Sequence, residues 1–531
     1  MEARILKIDL TNRSYGIEVI PDKIRKQFLG GRGLGAYLLY KEVPAKTDPL
    51  SEQNHLIFAA GPANGTGFYF SSKVSVTTKS PLTDIYLFAM SSGSFGHWMK
   101  RAGLWAIDIE GIAKKPTYID IDNEKVEFKD ATPLWGKNPA EAQQAMLGGK
   151  KGATAAIGAA GEKLINYAAI FSEGQYYRAF GRGGSGCVMG AKKLKGIVVS
   201  GDREVEIADK ARFDAAKAAV MANIKANPKW AKTQRDHGTG FDIDLMSERA
   251  ILPTRNWQKG TFEGYAGICT SLTDSVWPRK SIPCGPYCPA TCSHYIQIEK
   301  GPYKGAHCDG PEYETLYTLG SNLEISNYDA IIAAAQLCDE FGIDSMTAGL
   351  TLGFAIECFE KGLIGLKDTD GIPLRFGDAE LMMTLLNKMV RQEGFGKKLA
   401  LGVKKLSEEI KGSEEFAMHV KGLELGGYEC RDLNGQALQF AVCARGGCHH
   451  AYGLPARVEA YDGTSTKVEG KAEWLAKKVC PGQMMNDCFP SCSFRRLVLT
   501  QPIQAEAVSA ITGEPWSVED FGKVAQRLAA V

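Results

Sequence analysis

The 531-residue chain is expected to fold as an α+β protein, with a β-rich N-terminal domain over residues 1–204 capped by two mainly helical domains, 205–411 and 412–531. Three observations predict this. The length exceeds what one hydrophobic core can fill, so several domains are expected. Up to Asp202 the chain is rich in glycine and in short alternating or β-branched runs, the signature of strands. From Asp209 onward apolar residues recur at three- and four-residue spacing, the signature of amphipathic helices.

Taken in order, ARILKIDL, KVSVTTKS, WAIDIEGI, TYIDIDN, VEFKDA, GATAAIGAA and KGIVVSGD read as strands. Among them DKIRKQFLG looks helical, and one clear helix, AYLLYKEV, follows the motif GGRGLG and is closed by Pro44. The middle domain consists of KARFDAAKAAVMANIKAN, NYDAIIAAAQLCDEFG, MTAGLTLGFAIECFEKG, AELMMTLLNKMVRQEG and KKLALGVKKLSEEIKG, each stopped by Gly or Asn. The last domain mixes loops with helices such as EGKAEWLAKKV and VEDFGKVAQRLAAV. No solenoid-period repeat or low-complexity tract interrupts the pattern.

Lys plus Arg number 63 against 61 for Asp plus Glu, a net charge of +2, so no global field draws in nucleic acid or an anionic membrane. No run of apolar residues is long enough to span a bilayer, and the start, MEARILKIDLTNRSYG, lacks the layout of an export signal. A cytoplasmic location is expected, with the ligand held in a pocket. The 14 cysteines are too dilute in this length for a disulfide scaffold, so reduced thiols are expected. Most, such as Cys338 and Cys358, read as small buried hydrophobes.

Two cysteine clusters differ. The segment PCGPYCPATCSHY spaces Cys284, Cys288 and Cys292 four apart, and Gly285, Pro286 and Pro289 forbid a regular helix between them. A looped backbone can aim three thiolates at one point, and KVCPGQMMNDCFPSCSF, with Cys480, Cys488 and Cys492, can supply a fourth. Three clustered cysteines plus a remote one suit an iron–sulfur cluster. A four-cysteine zinc site, or unliganded thiols, are the alternatives.

Two glycine-rich stretches compete as cradles for an anionic ligand, GGRGLG and GRGGSGCVMGAKKLKG. The first lacks the preceding strand that a dinucleotide fold needs. The second combines close backbone approach with Arg182, Lys192, Lys193 and Lys195, a pattern able to hold a phosphorylated organic cofactor or to form a simple turn.

Eight blocks in order make the chain resemble the tungsten-containing aldehyde:ferredoxin oxidoreductases: GGRGLGAYLLY, SPLTDIYLFAMSSGSFGHWMKRAGLWAIDIEGIA, GRGGSGCVMGAKKLKGI, PCGPYCPATC, GPEYETLYTLGSN, CDEFGIDSMTAG, RGGCHHAYG and DCFPSCSF. The resemblance implies a β-rich base for two molybdopterins. DEFGID resembles the family's first D-x-x-G-L motif, with Asp339 at its head and Asp344 just after it, and DCFPSC stands in place of the second, led by Asp487. Arg182, Gly183 and Gly184 match its pterin-contacting GRGG segment, and Ser92 and Gly93 fall at another pterin contact. Cys284, Cys288, Cys292 and Cys492 match the ligands of a [4Fe-4S] cluster, while Glu314 and His449 fall on the acid/base pair beside the metal. Tungsten or molybdenum bis-molybdopterin, with Mg bridging the pterin phosphates, is the implied cofactor.

Four departures from the family pattern are visible. Three residues, not two, separate Cys284 from Cys288, and Pro490-Ser491 replaces Gly-Leu in the second motif. Lys73 stands where the family often has an arginine, and the asparagine expected near MSSGS is absent.

The reaction so implied oxidises an aldehyde to a carboxylic acid and passes electrons to ferredoxin or an iron–sulfur partner subunit, and an oligomer is expected. A second enzyme reading is the tungsten subunit of an aromatic acyl-CoA reductase, for which Cys308, in AHCDGPEYET, is the candidate metal thiol. A reading from another class is a non-catalytic iron–sulfur carrier or zinc-stabilised binding protein, which leaves Arg182, Asp339 and Asp487 without a role.

Overall fold

The structure is a computed structural model and describes residues 2–272, 279–462 and 467–530. Twelve strands lie in the first part of the chain: β1 (Ala3–Asp9), β2 (Ser14–Ile20), β3 (Leu56–Ala59), β4 (Val74–Lys79), β5 (Tyr86–Ser91), β6 (Ala106–Glu110), β7 (Thr117–Asp122), β8 (Lys125–Asp130), β9 (Ala153–Ala156), β10 (Ile170–Ser172), β11 (Arg178–Phe180) and β12 (Leu194–Ser200). They form two six-stranded sheets, ordered β2-β1-β6-β3-β4-β5 and β11-β10-β9-β12-β7-β8. β1 runs parallel to β6 and β7 to β12, and the other neighbours are antiparallel.

The period-2 pattern decides what each face meets. Leu6 and Ile8 of β1, Leu56 and Phe58 of β3, Ile119 and Ile121 of β7, and Ile197 and Val199 of β12 share one core, so the two sheets pack face to face. The alternate residues Ile5, Ile57 and Ala59 point the other way, onto Leu34, Leu38 and Leu39 of the helix Gly31–Glu42. On the far side Ala156 and Val198 meet Ala142 and Met146 of the helix Pro139–Leu147. That helix is bounded as its sequence dictates: the Asn138 side chain accepts from the Glu141 N–H, Pro139 occupies the first turn, and Gly148 ends it at φ 56°.

The expectation that a helix follows GGRGLG needs correction, because the helix begins at Gly31, inside the motif. Its glycines are a packing face. A Cβ at Gly31 would lie 2.2 Å from the Asp487 carbonyl oxygen, and one at Gly35 would lie 2.3 Å from the Thr77 hydroxyl. The helix thus presses directly on both the base sheet and the C-terminal segment.

Beyond Ser200 helices dominate, apart from a three-stranded sheet of Arg279–Ile282, Ser293–Gln297 and His307–Asp309 and a two-stranded one of His419–Val420 and Leu423–Glu424. The helices Tyr313–Leu319, Tyr328–Phe341, Ser345–Glu360 and Ala379–Arg391 fill the largest core, in which Cys338 and Cys358 are buried as small apolar groups. The helix Lys210–Ala226 packs Phe213, Ala216 and Val220 against Ala507, Val508 and Ile511 of the helix Gln501–Thr512. Packing there joins chain from both sides of the expected boundary at 411. Among the described residues no helix is long and apolar enough to cross a membrane.

One seam positions the site. The turn between the helices Tyr328–Phe341 and Ser345–Glu360 docks on the base: the Ala169 N–H donates to the Gly342 carbonyl at 2.9 Å, and the Asp344 N–H to the Tyr167 carbonyl at 3.1 Å. A Cβ at Gly158 would sit 2.4 Å from the Phe341 carbonyl oxygen, so the approach needs glycine.

Candidate active site between the base and the helical caps

Arg182 follows β11 and precedes a turn that only glycine tolerates. Gly183 has φ 94° and Gly184 φ 89°, and a Cβ at Gly184 would lie 2.0 Å from the Asn166 carbonyl oxygen. The turn aims a buried guanidinium across the seam. Its Nε lies 3.3 Å from Asp344, and its Nη2 donates to the Glu424 carbonyl at 2.9 Å. Asp344 in turn caps the helix Ser345–Glu360, accepting from the Met346 N–H at 3.0 Å. Burial works against the charge of Arg182, but Asp344, the Cys448 sulfur, Glu424 and Glu314 outweigh it and hold its pKa above the ordinary value.

Glu314 stands in the first turn of the helix Tyr313–Leu319, where its Oε2 accepts from the Gly427 N–H at 3.0 Å. Its Oε1 is 3.2 Å from Nδ1 of His449. Burial pushes the carboxyl up to about 8, against the pull of the Gly427 N–H and Arg182. Burial, His450, Arg182 and Arg445 push His449 well below its usual range. Both shifts favour the uncharged forms, a protonated carboxyl beside a neutral imidazole. Gly426 makes room for that ring, since a Cβ there would lie 2.6 Å from His449 Nδ1.

Arg445 also acts on His449, and Arg32 lies beside Asp487. Arg445 Nη2 lies 2.8 Å from the buried Cys448 sulfur, which also faces the His450 N–H at 3.3 Å. Arg32, from the glycine-rich helix, donates to the Ala451 carbonyl at 2.6 Å and lies 3.2 Å from Asp487. Both guanidiniums stand over the Phe88 ring, at 4.0 Å for Arg32 and 4.8 Å for Arg445. Burial raises Asp487 to about 6, opposed by Arg32.

The cysteines converge beside this group. Cys284, Cys288, Cys292 and Cys492 act on one another electrostatically, and Lys73 acts on Cys284, Cys292 and Cys492 as well as on His450. A hydrogen bond with Cys288 lowers Cys284 to about 6, with Lys73, Arg178 and Ser92 adding to the effect against burial. The loop is pinned to the base domain: Ser72 Oγ donates to the Pro286 carbonyl, the Phe70 N–H donates to the Tyr287 carbonyl at 3.3 Å, and the Cys492 N–H donates to the Phe70 carbonyl at 3.2 Å. Gly93, at φ 105°, lets the Gly285 backbone approach, where a Cβ would lie 2.9 Å from the Gly93 carbonyl oxygen. Among the described residues no three His, Cys, Asp or Glu side chains stand close enough to hold one metal ion. The four thiols thus form an interacting group without the close geometry of a single-ion site.

Among the described residues no hydrogen bond or ion pair joins Asp339 or Cys308 to the groups above. Asp339 ends the helix Tyr328–Phe341, where burial raises its pKa and Arg178 is its cationic neighbour. Cys308 is buried in the core of the helical domain on the strand His307–Asp309, and the charged groups that act on it are Asp339 and Glu312. Conversely, Arg32, Glu424, Arg445 and Cys448 join the site although the sequence reading did not single them out. Arg445 and Cys448 lie inside the block RGGCHHAYG, where their nearness to His449 was the available signal.

The residues fit an anionic, multidentate cofactor. Arg32 Nε, Arg182 Nη1, Arg445 Nε and His449 Nδ1 are buried nitrogens without a hydrogen-bond partner, and both Arg182 and Arg445 act on His449. Buried donors are seldom left unpaired, and a group rich in oxygen and sulfur acceptors satisfies three guanidiniums at once.

Residues 5–201 match the description "Aldehyde ferredoxin oxidoreductase, N-terminal domain", and residues 215–531 match "Aldehyde ferredoxin oxidoreductase, domains 2 & 3". A tungsten-containing aldehyde ferredoxin oxidoreductase of Pyrococcus abyssi is 36% identical, the alignment covering 99% of this chain and 87% of that one. The WOR-like subunit of an aliphatic sulfonate oxidoreductase from Pyrococcus furiosus is 33% identical over 86% of this chain and 76% of its own length. Among solved structures, the active-site complex of benzoyl coenzyme A reductase with 1,5-dienoyl-CoA has the same fold, with a TM-score of 0.85 and 24% identity over 99% of this chain and 88% of that one.

Proposed function

Since the chain belongs to the aldehyde ferredoxin oxidoreductase family, we propose that it is a tungsten- or molybdenum-bis-pterin enzyme that oxidises an aldehyde to a carboxylic acid. Its electrons leave through a [4Fe-4S] cluster on Cys284, Cys288, Cys292 and Cys492 to ferredoxin or an iron–sulfur partner subunit. One observation carries the reading: a buried carboxyl 3.2 Å from an imidazole stands with two buried arginines, Arg182 and Arg445, each of which keeps one nitrogen without a hydrogen-bond partner.

Arg182, Arg445 and Arg32 would hold the pterins, with Asp344 and Asp487 fixing two of those guanidiniums and available to pterin N–H groups. Gly183 and Gly184 bring the backbone close, and Lys73, Ser92 and Gly93 line the step from site to cysteines. When bound, the pterin-held metal supplies two-electron redox chemistry that no side chain possesses.

The chain's own groups manage protons. Glu314 Oε1 lies 3.2 Å from His449 Nδ1, so the two groups can act on one substrate. An N–H of the neutral imidazole can donate to a carbonyl oxygen and stabilise the charge that grows there. Glu314, once ionised, accepts the proton that water loses on attacking the carbonyl carbon. Its raised pKa makes it a stronger base than an ordinary carboxylate.

Anaerobic purification with elemental analysis, followed by viologen-dye reduction with free aldehydes and with an aromatic acyl-CoA ester, tests the proposal. Tungsten or molybdenum with about four irons, and dye reduction by aldehydes, is the expected result. Zinc or iron alone, or activity confined to the acyl-CoA ester, would overturn it.

A further inference from the structure

Two sheet edges lie side by side on the base domain, and the sequence treats them differently. β2 ends one six-stranded sheet and β8 ends the other, and Arg13, just before β2, donates to the Phe128 carbonyl of β8 at 2.7 Å. An open edge offers unpaired backbone N–H and C=O groups to any strand, so monomeric proteins protect it with charge, proline or a bulge. β8 carries such protection in Lys125, Glu127 and Lys129. β2, with the sequence SYGIEVI, has no proline, pairs with β1 in unbroken register and carries one charge, Glu18, which accepts from Lys41 at 3.2 Å.

Alternate residues of β2 fall on opposite faces. Glu18 and Ile20 face the helix Gly31–Glu42, where Ile20 is buried beside Leu34 and Leu38. Tyr15, Ile17 and Val19 lie opposite Ile8, Leu6 and Arg4 of β1, on the face that meets the second sheet further in. On β2 itself these three side chains are 46%, 37% and 48% exposed, in one row. A single exposed apolar side chain is ordinary, but a row of three along an unpaired edge is the surface of a strand that lacks its neighbour.

We propose that β2 pairs antiparallel with β2 of a second copy of this chain, about a two-fold axis at Ile17, so that the two sheets become one. The pairing sets Tyr15 against Val19, Ile17 against Ile17 and Gly16 against Glu18 of the second copy. Each apolar side chain then meets an apolar one, and Glu18 meets a residue without a side chain. Space exists there, because a Cβ at Gly16 would meet nothing within 4 Å. An axis at Glu18 would set that carboxylate against its own copy, and one at Gly16 would set Val19 against Arg13. An axis between residues would oppose outward-pointing backbone groups to inward-pointing ones. The charges at the strand ends agree. Arg13 has no carboxylate within ion-pair distance among the described residues, and the exposed Asp22, beyond the other end, is paired with Arg25 at 3.2 Å. Antiparallel pairing brings Arg13 of each copy to the Asp22 end of the other, so the complementary contact forms twice. None of this depends on the proposed reaction.

Sedimentation velocity of the purified holoenzyme across the micromolar range tests the pairing. A dimer that dissociates on dilution is expected, since one strand pair is a small interface. Ile17→Lys, which opposes two ammonium groups, should leave only monomer with an unchanged unfolding temperature. Arg13→Glu should weaken association about fivefold, and adding Asp22→Lys should restore it. Ile17→Cys treated with a short bismaleimide should give a covalent dimer above the background of the native cysteines, whereas Glu519→Cys, on an exposed site of the helix Val518–Ala530, should not. Should Ile17→Lys fail to fold, the cross-link decides alone. A monomer at every concentration, a dimer that Ile17→Lys leaves intact, or no cross-link at position 17 would overturn the proposal. A complex with a different polypeptide that Ile17→Lys releases would also overturn it, and would give the edge to that chain.

Discussion

Glu314 concentrates the chemistry of the site in one proton. Replacing it by Gln preserves the hydrogen bond from Gly427 and removes the base, so turnover is expected to fall by about 10²–10⁴-fold with metal content unchanged. Unchanged turnover in the purified variant would exclude the role. The pH dependence follows from the direction of the shift. Only the ionised carboxylate acts as base, so kcat/KM should rise about tenfold per pH unit towards a plateau near 8. The same shift acts on stability with the opposite trend. The folded state holds this proton more tightly than an ordinary carboxyl of pKa 4.5, so the contribution is fully present below that value and is lost as pH rises towards about 8. A denaturation series comparing wild type with Glu314→Gln isolates it. At this scale the sequence was partly legible. Glu314 and His449 sit in recognisable blocks, but Arg32 looked like a loop residue, and nothing in one sequence tells that a buried arginine's N–H groups will lack partners.

The elements that matter most are the glycine turns. Gly184 has φ 89° and its missing side chain leaves room for the Asn166 carbonyl, so Gly184→Ala should destabilise the fold by about 1–3 kcal/mol through backbone strain alone, and more through the clash. Chemical denaturation reads the loss; a stability equal to wild type would show that the turn relaxes. Strand and helix periods in the sequence anticipate the two sheets and the main helical core, because alternation and 3.6-residue spacing are imposed by which face is buried. The start of the helix Gly31–Glu42 was not legible. Glycine in a helix is unfavourable locally, and what rescues it is close packing against Asp487 and Thr77, tertiary contacts that no local pattern reports. The three-stranded sheet around Ser293–Gln297 was missed for a related reason, its strands being short and set beside cysteine and proline punctuation.

Over the whole molecule, the site exists only where base, middle and C-terminal segments meet. Buried guanidinium nitrogens without partners oppose folding until a ligand satisfies them, so the cofactor-loaded protein should unfold at a markedly higher temperature than the metal-free form. Calorimetry on the two preparations checks this, and equal midpoints would mean that the cavity pays no such penalty. Cys288→Ser and Cys492→Ser should each lower bound iron, whereas Cys480→Ser should leave it unchanged.

The four cysteines proposed to hold the cluster also bear on the order of assembly. Three are close neighbours in the chain, but Cys492 lies 200 residues beyond Cys292. On the proposed ligation, three sulfurs can meet an iron donor early, and the coordination sphere closes only once the segment carrying Cys492 has docked on the base. Iron retention would then report on the docking of a distant segment as much as on the loop that carries most of the thiols.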